Sequence, residues 1–474
     1  MKKNKAVLGD AGIYDARELG YPRMLVLGFQ HLFAMFGATV LVPALTGLSV
    51  SATLLFAGLG TLLFHLLSKG KVPAFLGSSF AFLAGYWAIA PNGEAELLPY
   101  ACFGVACSGI LYVILSALFK AFGAQKVMRY FPPIVTGPVI IAIGLTLSSS
   151  AISNCTNCWW IAVLAIVIVV VANIWGKGMA KIIPILLGVI GSYGVAAIIG
   201  AVWGQPIEID GTTYICAFGN ESFKIFTQGA LDNLRQAAWV GMPFAWSNTV
   251  FNLFGSQIDS GLLISAVITI VPLALATMVE HIGDMCAISS TCERNYLEDP
   301  GLHRTLLGDG LATMLASLFG APANTTYGEN TGVLALSRVY DPRVIRIAAV
   351  IAVLFSFSPK FAALVSLMPA ATIGGVSLVL YGMISAVGVR NVVENKVDFT
   401  KSRNVIIAAL ILVLSIGIAY GPGSISFPVG DVTIALSGLA VAAIIGILLN
   451  AILPGKDYEF GKDAQGDTSV NFKV

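Results

Sequence analysis

Fourteen apolar segments, joined by short polar connections except between the seventh and eighth, leave this chain few ways to fold. They lie near 24–44, 51–68, 80–91, 98–122, 132–150, 159–176, 181–203, 262–283, 304–319, 331–339, 343–358, 370–388, 404–420 and 431–453. A helix needs roughly 20 apolar residues to cross a bilayer. The third and tenth segments are too short to span alone. Each follows a polar break, Val72-Pro-Ala-Phe-Leu-Gly-Ser-Ser-Phe-Ala81 in one case and Asn324-Thr-Thr-Tyr-Gly-Glu-Asn330 in the other. Polar, non-helical backbone at membrane depth is tolerated only where protein buries it or where it lines a cavity. The expected local structure is a short strand leading into a half-helix. Two such breaks in corresponding halves point to a transporter's binding site.

Composition sets the class. Apolar residues make up 57% of the chain and charged residues 11%, against about 25% charged in soluble domains, and the mean hydropathy is +0.85. No soluble core hides that much apolar surface, so the expected fold is an all-α polytopic membrane protein in contact with the lipid bilayer. A net charge of +2 is too small to attract nucleic acid. Residues 1–23 are polar and lack the apolar centre of a cleaved signal. They read as a cytoplasmic tail, as do residues 455–474.

Alternate loops are basic, with Lys69/Lys71, Lys120/Lys126/Arg129, Lys177/Lys181, Arg294/Arg304, Arg338/Arg343/Arg346 and Arg390/Lys396/Lys401/Arg403. The positive-inside bias puts these loops, and both termini, in the cytoplasm of an inner-membrane protein. One offset, 249 residues, separates His31 from Glu280 and Phe80 from Glu329. Seven segments per half is an odd number, so the second half is expected to be inverted relative to the first. A long external loop, 204–261, separates the halves, and Thr227–Gln236 and Met242–Phe254 within it are candidate amphipathic helices.

Several polar side chains at membrane depth are candidates for chemistry. Glu280 and Asp284 stand four apart on the eighth segment and share a helix face. Two carboxylates so close in low dielectric hold one proton between them and titrate as a unit. The bland alternative for Asp284 is a solvated cytoplasmic helix end. Glu329 follows Gly328 at the start of a half-helix, where free backbone amides and the positive end of the helix dipole meet. A carboxylate acceptor beside amide donors suits a neutral ring with alternating N–H and C=O edges. Tyr327 and Asn330 are candidate partners of Glu329. Phe80, after Gly77-Ser-Ser79, offers a backbone amide and an aromatic wall, with Ser79 in support. His31, next to Gln30, is buried by depth, and Asp309 is a further intramembrane carboxylate. Cys155 and Cys158 could form a strained disulfide, but read first as two free thiols, with no cluster of zinc ligands around them. No phosphate-binding Gly-Lys-Ser/Thr loop, nucleophile arrangement or cofactor motif appears, so no cofactor and no enzymatic activity are expected.

These residues together resemble the nucleobase–ascorbate transporter family, most closely its bacterial uracil permease branch. The matching stretches are Gln30-His-Leu-Phe-Ala-Met-Phe-Gly-Ala-Thr-Val-Leu-Val-Pro43, Gly77-Ser-Ser-Phe-Ala-Phe82, Glu280-His-Ile-Gly283, Asp299-Pro-Gly-Leu-His-Arg304, Thr325-Thr-Tyr-Gly-Glu-Asn330 and Gly374-Gly-Val-Ser-Leu378. The resemblance implies fourteen transmembrane segments in two inverted repeats of seven, with short strands at half-helices three and ten. It implies a core domain (24–123 and 262–368), a gate domain (124–203 and 369–454) and a homodimer. It also implies proton-coupled uptake of a nucleobase, uracil before a purine such as xanthine or urate. Glu280 and Glu329 would meet the ring's N–H edge, the amides of Phe80 and Gly328 its carbonyls, and His31 and Tyr327 would support them. Glu280, Asp284 and Asp309 would carry the proton. Two positions depart from the pattern: uracil permeases carry His where this chain has Asp284, and the family signature normally ends Thr-Arg where this chain has Ser337-Arg338. Glu329 matches the uracil branch, whereas xanthine carriers show Gln. An anion exchanger of similar architecture is a remoter reading, because a carboxylate at the half-helix mouth repels an anion.

Overall fold

The computed structural model describes residues 12–255, 258–429, 432–456 and 458. The first half forms α1 (Tyr21–Thr46), α2 (Val50–Leu67), β1 (Leu76–Ser78), α3 (Leu83–Ile89), α4 (Leu98–Phe122), α5 (Ala124–Met128), α6 (Pro133–Cys155), α7 (Trp159–Ile174), α8 (Met179–Ile182) and α9 (Pro184–Trp203). The strands β2 (Gly204–Ile209), β3 (Thr212–Ala217) and β4 (Lys224–Thr227) and the helix α10 (Gln228–Gln236) follow. The second half forms α11 (Ser260–Ile270), α12 (Ala274–Thr291), α13 (Leu302–Leu318), β5 (Asn324–Thr326), α14 (Gly328–Ser337), α15 (Pro342–Ser356) and α16 (Pro359–Ser366). It ends with α17 (Ala370–Glu394), α18 (Ser402–Tyr420), β6 (Ser424–Val429), β7 (Val432–Ser437) and α19 (Gly438–Ile452).

Each of the fourteen apolar segments holds a helix. Among the described residues, eight helices are long and apolar enough to cross a membrane, with α11 and α12 taken as one run, or nine if α15 and α16 form one span. The last two are bent by 91°. Ser358 caps α16 and Pro359 opens it, and a proline there cannot continue the preceding helix. The half-helices α3 and α14 are short, as their polar breaks predict.

Three stretches differ from the sequence reading. The fourteenth segment is not helical throughout: residues 432–437 are a strand, paired antiparallel with β6. The alternating pattern of Ser424-Ile-Ser-Phe427 and Val432-Thr-Ile-Ala-Leu-Ser437 has the period of a strand. The external loop is partly a sheet. Asp210 and Gly211 both adopt positive φ, the signature of a two-residue hairpin turn, and join β2 to β3. Of the two candidate amphipathic helices, Gln228–Gln236 forms, but Met242–Phe254 gives only 3-10 turns at Trp246–Asn248 and Val250–Gly255. Pro243 and the turn-forming Ser247-Asn-Thr249 interrupt it.

Packing recurs between the halves. The helix α2 lies on α15 as α13 lies on α4. Likewise α7 meets α9 and α17, while α18 meets α19 and α6, and α9 touches α17 as α19 touches α6. Exchanging each of these helices for its counterpart in the other half turns each of these contacts into its twin. The strands β1 and β5, one from each half, pair antiparallel at the exchange axis (Leu76 with Thr326, Gly77 with Thr325, Ser78 with Asn324). Antiparallel pairing of equivalent strands is what an inverted repeat requires.

The closest approach is between α6 and α17. A Cβ on Gly144 would lie 2.2 Å from the Tyr381 carbonyl oxygen, and one on Gly388 2.7 Å from that of Gly137. Small residues at such crossings let backbones touch, the main source of helix association in lipid. Gly144→Val is therefore expected to destabilise the protein by about 1–3 kcal/mol through overpacking, read as a lower unfolding temperature in detergent. An unchanged transition would show that α6 and α17 are less closely packed than this.

At one end of the molecule the N-terminal segment joins the basic loops. Ile13 pairs with Val339, the Tyr14 hydroxyl donates to the Cys292 carbonyl at 2.9 Å, and Arg294 lies 4.1 Å over the Tyr14 ring. Arg343 donates to both Asp15 at 2.9 Å and Asp341 at 3.1 Å. At this end, Lys71 also pairs with Asp299, holding the Asp299 carboxyl below the usual carboxylate range.

Candidate substrate-binding site

The two polar breaks meet where β1 crosses β5. Ser79 N donates to the Ala323 carbonyl at 2.8 Å, and Tyr327 N donates to that of Phe75 at 3.1 Å, extending the ladder at both ends. α14 then begins at Gly328, while the turn Phe80-Ala-Phe82 leads into α3 at Leu83, so Phe80 precedes its half-helix rather than lying in it. The first amides of a helix have no carbonyl within it to receive them, and they converge on this crossing.

Supporting side chains hold the crossing rigid. The Tyr327 hydroxyl donates to the Ser78 carbonyl at 2.9 Å, and Thr39 of α1 donates to the same hydroxyl at 3.3 Å. Ser78 in turn donates to the Thr39 carbonyl at 3.0 Å. His31 is fully buried. Asn330 Nδ2, in the first turn of α14, reaches both His31 Nδ1 and the His31 carbonyl, each at 3.1 Å. An amide donating to Nδ1 places the imidazole proton on Nε2. Gln30, half-buried, precedes His31 on α1. The Ser79 hydroxyl is buried with no hydrogen-bond partner among the described residues.

Among the described residues of the crossing, exposure rises at the start of α14. Residues 321–327 are all buried, whereas Gly328 is exposed, and Glu280, Gly283 and Asp284 of α12 are partly so. A Cβ on Gly328 would lie 3.7 Å from Asp284 Oδ1, so the carboxylate of α12 borders the mouth of α14. Asp284 is thus beside the crossing rather than at a solvated helix end. Glu329 occupies the first turn of α14, but its side chain lies outside the described part of the structure.

Sequence reasoning missed a buried polar chain behind Asp284. Thr326 donates to Asp284 Oδ2 at 2.8 Å. With its one proton committed, its oxygen accepts from His281 Nδ1 at 3.3 Å. The same nitrogen lies 3.5 Å from Asp309 Oδ2, and both of these side chains are fully buried. Glu280 is close enough to Asp309 for their charges to interact. Hydrogen bonds therefore run from Asp284 through Thr326 to His281, and Asp309 lies beside the same imidazole without a hydrogen bond to it. His281, adjacent to Glu280, was the available signal. Tyr381 was also missed: from α17 it packs edge-on against Phe80 with ring centroids 5.7 Å apart.

Two half-helices meeting at a strand crossing, inside an inverted-repeat bundle of apolar helices, define a multi-pass membrane transporter. The chain belongs to the Permease family, whose profile matches residues 22–424. It is 38% identical over 462 residues to the uracil permease of Bacillus caldolyticus, covering 96% of each chain. It is 36% identical over 488 residues to the uracil permease of Bacillus subtilis, covering 100% of each. Its fold is similar to that of the transmembrane domain of a cyanobacterium bicarbonate transporter, BicA. The TM-score is 0.58 at 13% identity, covering 93% of this chain and 99% of that one.

Proposed function

We propose that this protein takes up uracil in symport with protons, by alternating access across the inner membrane, with both termini cytoplasmic. The observation that carries the reading is the exposed Gly328 backbone at the crossing, bordered by Asp284, with the partly exposed Glu280 one turn away on α12. Amide donors beside carboxylate acceptors match a planar ring whose N–H and C=O groups alternate. Uracil is favoured by the relatives' names and by Glu329, a carboxylate where xanthine carriers show glutamine.

In this reading Glu280 and Glu329 accept from the ring, and the amides of Phe80 and Gly328 donate to its carbonyls. Tyr327, His31, Asn330, Ser79 and Gln30 position those groups. The phenyl ring of Phe80 forms one wall and rests against Tyr381. Helices α1–α4 and α11–α16 form the substrate-carrying core; α5–α9 and α17–α19 form the gate of a homodimer. Asp284, Thr326, His281 and Asp309 supply the proton route. The bicarbonate transporter's likeness is one of fold, and carboxylates around the opening disfavour an anion as cargo.

The test is uptake of labelled uracil into proteoliposomes under an imposed proton gradient, in competition with thymine, xanthine and urate. Uracil should compete best, and a protonophore should collapse accumulation. Preferred competition by xanthine would favour the second reading, a purine symporter, which Asp284 supports because purine carriers tend to have Asp there. Asp284→Asn keeps the Thr326 hydrogen bond but removes the charge. Binding is expected to survive while the pH profile of uptake moves by about half a unit or more, a displacement of roughly 0.7 kcal/mol between protonation states. An unmoved profile would remove Asp284 from the proton route.

A further inference from the structure

Eighteen consecutive residues, Ala237–Phe254, contain no charged side chain, although they lie outside the helical bundle between α10 and α11. Water-facing protein surfaces are about a quarter to a third charged. One side of this segment is pinned to the bundle. Phe244 and Phe251 pack on Phe319 just beyond α13, with ring centroids 5.3 and 5.5 Å away. Gly241 N donates to the Phe357 carbonyl at 2.9 Å, and Lys360 N donates to that of Ala238 at 2.8 Å. These contacts hold the segment level with the C-terminal ends of α13 and α15, opposite the end that carries the basic loops.

The other side points outward and is apolar. Trp239 is 76% exposed, Val240 80% and Met242 73%, and Trp246 and Phe254 are exposed as well. Single exposed apolar residues are ordinary; a charge-free run of them is not. Val350 and Leu354 of α15 and Phe357 at its C-cap are also exposed, and their spacing makes them one stripe. That stripe faces lipid in a multi-pass protein, and it ends at the Phe357–Gly241 contact, where the uncharged segment begins. The patch therefore continues the lipid-facing surface. Lys360 sits 5.8 Å over the Trp239 ring, placing a cation at the headgroup edge of the same surface.

We propose that Ala237–Phe254 is an interfacial anchor, with Trp239, Val240, Met242 and Trp246 seated in the headgroup–acyl boundary of the leaflet opposite the basic loops. Tryptophan prefers that depth because its ring is apolar and its N–H is polar, and an irregular segment avoids the hydrocarbon centre, where its backbone would be unsatisfied. The occupant is phospholipid of the membrane that the helices already cross. The proposal does not depend on the substrate.

The experiment uses the full chain reconstituted in phosphatidylcholine vesicles, with or without bromine at the 6,7 positions of one acyl chain. Tryptophan emission is compared between the wild type and Trp239→Phe/Trp246→Phe, so the difference reports these two rings. Brominated lipid is expected to quench that difference by about half or more, while aqueous iodide leaves it nearly unchanged. Quenching by iodide but not by brominated lipid would place the segment in water and overturn the proposal. Protection from both quenchers would mean that protein covers the patch, a second copy for example, and would overturn it equally. Val240→Trp provides an independent reporter at an exposed position, its added emission read in the same way.

Discussion

Glu280→Gln is expected to abolish uphill accumulation of uracil. The change keeps the size of the side chain but replaces an acceptor-only carboxylate with a group that also donates, so one edge of the ring meets a donor where it needs an acceptor. Losing a hydrogen bond to a charged group costs about 1.5–3 kcal/mol, or about ten- to a hundredfold in affinity. Glutamine also cannot take up and release a proton, and Glu280 lies within electrostatic reach of the buried Asp309 beside His281. Both defects fall on the same variant, so accumulation under a proton gradient should drop to the level of protein-free vesicles. Equilibrium exchange at high uracil should retain some activity. Accumulation like that of the wild type would remove Glu280 from both binding and coupling.

Much of this architecture was legible because lipid imposes length. A segment either reaches across a bilayer or does not, so α1, α4, α6 and α17 fall where their apolar runs lie. The strands β1 and β5 were legible for the opposite reason, since polar and turn-forming residues clustered around Pro73, Gly77, Asn324 and Gly328 interrupt the apolar runs. What escaped was everything that depends on which distant residues meet. Asp284 and Gly328 become neighbours only because β5 pairs with β1 and turns α14 toward α12, and no periodicity within either segment records that. Only the fold sets Thr326 and Asp309 beside the His281 imidazole. The hairpin around Asp210-Gly211 was hidden because its alternation is short and lies between long helices. The strand β7 was hidden because its short alternation, Val432 to Ser437, runs directly into the apolar helix α19. Tyr381 gave no sign at all: a tyrosine within an apolar helix is usually packing, and only the fold sets it against Phe80.

The strand crossing itself gives the second large expectation. Gly77→Ala should cost uptake by more than tenfold, although the substitution adds one methyl group. A Cβ at Gly77 would lie 2.5 Å from Cε2 and Cζ of Tyr327 and 2.7 Å from Thr39 Oγ1. The Tyr327 ring cannot swing aside cheaply, because its hydroxyl is held by Ser78 and Thr39 and its own backbone amide by Phe75. Relief requires β1 to move away from β5, which shifts the amides of Phe80 and Gly328 relative to each other. Overpacking of this kind costs about 1–3 kcal/mol, and a hydroxyl stripped of its buried partner costs about 1–3 kcal/mol more. Gly194→Ala on α9, where an added Cβ meets nothing within 4 Å, should leave both stability and uptake unchanged. Adding Tyr327→Leu to Gly77→Ala makes room for the methyl, so stability should recover in part while uptake does not, because the hydroxyl that fixes β1 is gone. Full uptake and an unchanged unfolding temperature for Gly77→Ala alone would mean that the working protein does not hold Leu76 against Thr326 and Gly77 against Thr325, and the site would have to be built on another register.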